Sequence, residues 1–154
     1  MNDIRLIEHA PGAPGLRWFG LGPNLQPANG LEKLKLLFDH HSFWAKQRSY
    51  KQLRQMLAGS SVIVTAWDGK QIVGFGRATS DGIFRAVLWD IVVLEELQGQ
   101  GIGKKVLKSL FNSKAINQVE RVYLMTTNGA DFYRQLDFED VTKQKLLWRR
   151  RKNY

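Results

Sequence analysis

Apolar and polar residues alternate from Ile4 to Glu8, the period of a half-buried strand. The stretch from Ala10 to Gly30 holds all four prolines of the chain and a run of glycines. It reads as irregular, with a short extended piece at Leu16 to Leu21. The period then changes: Leu31, Leu34, Leu37 and Phe38 fall on one face of a helix, with Asn29 as its cap. A second helix is predicted from about Trp44 to Leu57. Tyr50, Leu53 and Leu57 share a face, and Gly59-Ser60 stops it.

From residue 61 the pattern is that of strands. Ser61 to Trp67 is rich in β-branched residues, Asp68-Gly69 is a hairpin turn, and Gln71 to Thr79 is the returning strand. Ser80-Asp81-Gly82 turns the chain again into Phe84 to Leu94. Strands joined by turns this tight are antiparallel neighbours. A Gly-rich turn follows, then a helix over about Gly103 to Ser113, a strand at Arg121 to Thr126, a short helix at Ala130 to Leu136, and a last strand at about Glu139 to Trp148. With no internal repeat or linker, the expectation is one α/β (α+β) domain over residues 1–154. Its sheet is mixed and mostly antiparallel, with helices flanking it.

Composition narrows the chemistry. The 154 residues are 44% hydrophobic and 24% charged, the balance of a globular chain. There is no cysteine, which excludes disulfides, thiolate zinc sites and a cysteine nucleophile. His9, His40 and His41 do not make a metal site, since adjacent histidines cannot both face one way from a strand; no metal is expected. The net charge of +9 favours an acidic or phosphorylated partner. The basic end, Trp148-Arg149-Arg150-Arg151-Lys152, reads as a solvated tail. No apolar run approaches the roughly 20 residues that span a bilayer. The first residues carry an acid and no long apolar core, so the expectation is a cytoplasmic protein with no membrane partner.

The informative segment runs from Asp90 to Lys104. An apolar strand leads into Gly99, Gly101 and Gly103 at alternate positions, then into an amphipathic helix with Val106, Leu107 and Leu110 on its buried side. Such glycines let the main chain approach a ligand with its N–H groups pointing inward, and the helix start adds positive potential. The turn suits a diphosphate. Lys104 and Lys105 stand in the first helical turn, where the helix dipole disfavours cations; a bound anion removes the conflict. The dinucleotide fingerprint is a rival for the same glycines. It requires a parallel βαβ unit, whereas the strands before this turn are antiparallel, and Glu120 lies before the next strand rather than at its end.

The spacing Gln98-x-x-Gly101-x-Gly103 resembles the Q/R-x-x-G-x-G/A signature of the GNAT superfamily of N-acetyltransferases. Asn128-Gly129-Ala130-Asp131-Phe132-Tyr133, continuing to Asp137-Phe138, resembles that family's second signature, N-x-x-A-x-x-F-Y-x-x-x-G-F. Ala78 to Gly82, Trp89-Asp90 and Gln98 to Gly101 also look like the plastid and cyanobacterial serotonin-type arylalkylamine N-acetyltransferases. The resemblance implies a GNAT-like fold and acetyl-CoA as co-substrate. It implies that the backbone of Val92 and Val93 pairs with the pantetheine arm. The N–H groups of Gly99, Gln100, Gly101, Ile102, Gly103 and Lys104 would hold the diphosphate, with Gln98 shaping the turn. Asn128 would contact pantetheine, and Tyr133 would stand near the thioester sulfur. Two departures stand out: Asp137 takes the place of the usual glycine, and Thr126 stands where plastid relatives tend to carry an acid.

Transfer to an amine requires removal of a proton, because alkylamines resemble lysine, with a pKa of about 10.4. Asp90 is the only charged residue between Ala86 and Leu94. Burial would raise its pKa toward neutrality, which makes it the candidate base; the alternative is an aspartate holding a strand bulge. Glu95 and Glu96 are weaker candidates. Tyr133 is the candidate proton donor to the leaving thiolate, or else a core tyrosine. For the acceptor, Asp39, His41, Phe43 and Trp44, beside His40, form an aromatic and polar cluster that suits an arylalkylamine cation or else packs two helices. The acceptor is a small-molecule or a protein amine, on lysine or an N-terminus. A non-catalytic acetyl-CoA-binding regulator is the reading outside enzymes. Nucleic acid is disfavoured because the clearest lysine cluster follows the glycine turn. The chain is expected as a monomer or homodimer.

Overall fold

A computed structural model describes residues 3–152. β1 (Ile4–His9) pairs antiparallel with β2 (Val62–Asp68), β2 with β3 (Gln71–Ser80), and β3 with β4 (Arg85–Val93). β5 (Arg121–Tyr123) joins the far edge of β4 in parallel, so the five-stranded sheet runs in sequence order. The predicted hairpins and the mixed, mostly antiparallel sheet are present.

Alternation along the strands builds two cores. From β2, Ile63 and Trp67 face the layer of α1 (Pro14–Phe19), α2 (Gly30–His41) and α3 (Tyr50–Ala58), where Leu16, Leu34, Phe38 and Leu53 are buried. Val62, Val64 and Ala66 face α4 (Ile102–Asn112), where Val106, Leu107 and Leu110 close the second core. Gly74 and Gly76 set how closely α4 lies on the sheet. A Cβ on Gly76 would come within 2.8 Å of Val106 Cγ1 and 3.0 Å of Leu110 Cδ1.

Four elements differ from expectation. The extended piece at Leu16 to Leu21 is instead the helix α1: Pro14 stands at its start and Gly20, at φ 60°, ends it. The second helix begins at Tyr50 rather than Trp44. Ser49 and Gln52 form a reciprocal capping box there, and Gln47 at φ 62° keeps residues 42–49 out of the helix. β5 stops at Tyr123, three residues short of Thr126. The strand expected over Glu139 to Trp148 does not form, because β5 is too short to offer it a full-length neighbour within its own chain.

Candidate active site

β4 carries one residue more than β3 between two points of their ladder: Phe75 pairs with Val92, and Arg77 pairs with Trp89. Asp90 takes up the surplus in the left-handed region at φ 55°, which an aspartate tolerates better than most side chains. The bulge reverses the alternation. Before it Leu88 faces the α4 core; after it Val92 faces the α1–α3 core. Trp89 and Asp90 both meet Arg77, the ring through its face and the carboxylate through an ion pair.

The same strand opens a cleft. β5 pairs only with Arg85, Ala86 and Val87, so the outer edge of β4 from Leu88 to Val93 has no strand beside it. Such an edge takes an extended ligand as an added strand. At its end the Gln98 side chain donates through Nε2 to the Val93 carbonyl (3.2 Å), folding the turn back on the strand. Gly99 and Gly101 follow at φ 78° and 87°, angles that glycine adopts without penalty. The main-chain N–H groups from Gly99 to Lys104 have no hydrogen-bond partner among the described residues, and Lys105 N–H is the first to bond back, to the Gly101 carbonyl (3.0 Å). Six bare amides lead into α4, with Lys104 and Lys105 exposed beside them and no acid in the first turn. That is an anion cradle.

α5 (Ala130–Arg134) completes the far wall. Thr126 Oγ1 accepts from Gly129 N–H (2.9 Å), shaping the turn that holds Asn128. Phe132 lies against Gly103 at the start of α4, at 3.3 Å from where a Cβ would stand. The Tyr133 ring packs edge-on against Phe138 (5.7 Å between centroids), and burial pushes its phenol up to about 12. Among the described residues its hydroxyl has no hydrogen-bond partner. Asp137 adopts φ 67°, so the turn keeps the backbone that a glycine would give despite the substitution.

The expected rise in the pKa of Asp90 is corrected. Its side chain is only 5% exposed. Burial pushes the carboxyl up, but hydrogen bonds and charges from Arg48 and Arg77 outweigh that and hold it below the usual value. Arg48 donates to both oxygens (3.0 Å each), Arg77 Nε to Oδ2 (2.8 Å) and Trp44 Nε1 to Oδ1 (2.9 Å). Four donors occupy the four acceptor sites of the carboxylate, which leaves none for an ammonium proton. Arg48 and Arg77 were not singled out by sequence. Arg77 carried a signal, a lone cation in an apolar strand that pairs with the strand of the lone acid. Arg48, in a loop, carried none.

The acceptor candidates separate. Trp44 reaches the bulge through Asp90, and Phe43 stacks edge-on against it (5.0 Å), both rings exposed. Asp39 is committed, accepting from Lys35 Nζ (3.0 Å) and Gln47 N–H (2.8 Å). His41 Nδ1 accepts from Glu95 N–H (3.2 Å), and the ring lines a hollow of about 390 Å³ with Val73, Leu94 and Glu96. Among the described residues no cluster of His, Asp and Glu could hold a metal ion, and no helix is long and apolar enough to cross a membrane.

A sheet parted between two parallel strands, with a bare-amide helix start at its mouth, defines an α/β protein with a cleft of extended, anion-accepting shape. More particularly, the chain belongs to the GNAT family of acetyltransferases: residues 59–140 match the acetyltransferase (GNAT) domain. It is 34% identical over 100 residues to the uncharacterized N-acetyltransferase ycf52 of Pyropia yezoensis, covering 62% of this chain and 57% of that protein. It is 37% identical over 71 residues to the histone acetyltransferase TAP1 of Glycine max, covering 46% of this chain and 31% of TAP1. The chain therefore matches little more than half the length of the first of these relatives and less of the second. The fold is shared with the GNAT family acetyltransferase SP0256 of Streptococcus pneumoniae, at a TM-score of 0.72 and 24% identity over 97% of this chain and all of that one.

Proposed function

We propose that this chain transfers the acetyl group of acetyl-CoA to a primary amine, and that an arylalkylamine of the serotonin type is the acceptor. The observation that carries the reading is the row of unpaired amides from Gly99 to Lys104, opening at the end of a strand edge that is itself free. The amides suit the diphosphate of coenzyme A, and the edge at Val92 and Val93 suits its amide-bearing pantetheine arm.

The chemistry follows from the groups at the cleft. The neutral amine attacks the thioester carbonyl carbon; an N–C bond forms and the carbonyl oxygen gains charge, which a free strand N–H near Val93 receives. The C–S bond then breaks, the sulfur takes a proton, and the nitrogen gives one up. Tyr133, still a phenol at every working pH, hydrogen-bonds the sulfur as its charge develops. Asp90 serves as the anchor of the bulge that sets the cleft edge, and the ammonium proton leaves to water. No covalent intermediate is involved.

The choice of acceptor rests on charge and exposed aromatic area. Asp39 and Asp90 are spent on Lys35, Arg48 and Arg77, so neither offers a counter-charge to a polycation, and the exposed acids left by His41 are Glu95 and Glu96. The exposed pair Phe43 and Trp44 offers a face to an aromatic ring. The test is release of free thiol from acetyl-CoA with tryptamine, serotonin, spermidine or a lysine peptide. The chain has no cysteine, so every thiol counted is coenzyme A. Turnover is expected to be highest with the aromatic amines. Turnover with the lysine peptide alone would transfer the acceptor role to proteins, and binding without turnover on any amine would leave a regulator.

A further inference from the structure

The turn that carries the bare amides has few holds on the rest of the fold. At its far end Ile102 is buried against Gly74, 3.1 Å from where a Cβ would stand. At its near end a single 3-10 turn, Glu95–Leu97, links β4 to Gln98, and Leu97 rests half-buried on the core beneath α4. A helical turn leaves its first N–H groups without a partner of its own, and Leu94, at the cap position, supplies no side chain for them. The Glu95 N–H donates instead to Nδ1 of His41 (3.2 Å), 54 residues away at the end of α2. Among the described residues this is the only hydrogen bond joining residues 95–101 to a part of the chain distant in sequence. The Gln98 and Gln100 side chains bond locally, to the Val93 and Glu96 carbonyls. From Gln98 to Gly101 the chain is exposed, and open space surrounds the Cβ positions of Gly99 and Gly101.

His41 reaches that turn from a firm base. Three residues before it, Phe38 is fully buried and packs edge-on against Phe75 of β3 (5.1 Å between centroids). An imidazole that accepts at Nδ1 carries its proton on Nε2, so its one lone pair is spent and it cannot also serve as a base toward the amine. We propose that His41 is a positioning residue for the diphosphate turn: by holding the Glu95 N–H it fixes where the amides from Gly99 to Lys104 stand against the free edge of β4. A turn that must be ordered as the ligand arrives binds it less tightly than one already in place. The pantetheine arm meets the chain at Val92 and Val93, which their ladder with β3 holds without help from His41. The inference rests on acetyl-CoA lying at those amides, and it moves His41 from the acceptor side of the cleft to the cofactor side.

The probes are acetyl-CoA and S-acetylpantetheine, which has the same thioester and arm but no phosphate. Each is titrated into the nitrogen-15-labelled chain, unaltered or carrying His41→Phe or His41→Asn. Phenylalanine keeps a ring and loses the acceptor, whereas asparagine keeps an acceptor near the place of Nδ1. His41→Phe is expected to weaken acetyl-CoA about 3- to 10-fold, the worth of one hydrogen bond, while S-acetylpantetheine binds as it does to the unaltered chain. His41→Asn should restore most of the affinity for acetyl-CoA. Unchanged acetyl-CoA affinity in His41→Phe, an equal loss on both ligands, or no recovery with asparagine would each overturn the inference and leave the seat of the diphosphate standing. If acetyl-CoA shifts none of the amides from Gly99 to Lys104 in the unaltered chain, the seat itself is lost and the inference with it.

Discussion

Arg77 Nε lies 2.8 Å from Asp90 Oδ2, across the residue that β4 carries in excess of β3. The guanidinium also lies over the Trp89 ring at 5.8 Å, so one side chain grips both residues of the bulge. With Arg48 on the other side of the carboxylate, the kink in β4 is fixed by ion pairs that are mostly buried. The edge beyond the kink is the free one.

Asp90→Asn should therefore act on structure rather than on a titration. Removing the charge leaves two guanidiniums without a counter-ion, and removing one partner of a buried pair costs about 3–5 kcal/mol. Denaturant unfolding should show that loss at pH 7. The sign at other pH values follows from the lowered carboxyl: its contribution is complete above the ordinary carboxylate range and is lost only as pH falls through the folded value. The surviving activity should keep the shape of the native pH–rate profile. Native stability with a displaced acidic limb would restore Asp90 as the base.

Tyr133→Phe removes one hydroxyl from a ring that stays packed on Phe138. The expected result is a fall in kcat of about 10²-fold or more with acetyl-CoA affinity unchanged, since the donor acts on the sulfur as the bond breaks. Single-turnover kinetics alongside calorimetric binding separates the two quantities. An equal loss in both would make Tyr133 a packing residue only.

How α4 is seated can be tested at Gly76. Side-chain atoms of Val106, Ile91 and Leu110 all stand within 3.0 Å of the Cβ that valine would bring. Gly76→Val should cost about 1–3 kcal/mol by overpacking. It should also weaken acetyl-CoA binding, because the bare amides lie at the start of the displaced helix. Thermal melts and titration of the same sample read both effects.

His9 supplies a pH dependence remote from the cleft. Its Nε2 is 2.7 Å from Thr65 Oγ1, which also accepts from the buried Trp67 Nε1. Burial lowers the imidazole from 6.5 to about 4. Between those values the unfolded chain binds the extra proton. Stability is thus complete above pH 6.5, falls as pH drops toward 4, and levels below. The span is about 3 kcal/mol. His9→Gln should remove that slope from a melting-temperature series between pH 7 and 4; an unchanged slope would assign it to other groups.

The sheet was legible because its strands are bounded by Asp68-Gly69 and Ser80-Asp81-Gly82, and because a period of two is hard to mistake. The turn into α4 was legible for a similar reason, since alternate glycines stand just before an amphipathic run; its role toward a cofactor came from the resemblance and not from the glycines. What escaped depends on neighbours distant in sequence. Burial alone argued for a raised Asp90 carboxyl, and only the fold brings Arg48, 42 residues away, to cancel it. Local pattern also promised a strand at Glu139 to Trp148, but a strand exists only when an edge receives it. Asp39 read as a free acid beside aromatics until Lys35 and the Gln47 amide were seen to hold it.

The most direct measurement is a titration of acetyl-CoA into nitrogen-15-labelled protein, following the amide resonances one by one. Saturable binding should move Gly99, Gln100, Gly101, Ile102, Gly103 and Lys104 most, with Val92 and Val93 next, and it should weaken as salt is raised. If those amides stay still while the ligand binds elsewhere, or if no resonance moves at all, the diphosphate does not sit where α4 begins and the assignment of this cleft to acetyl-CoA is wrong.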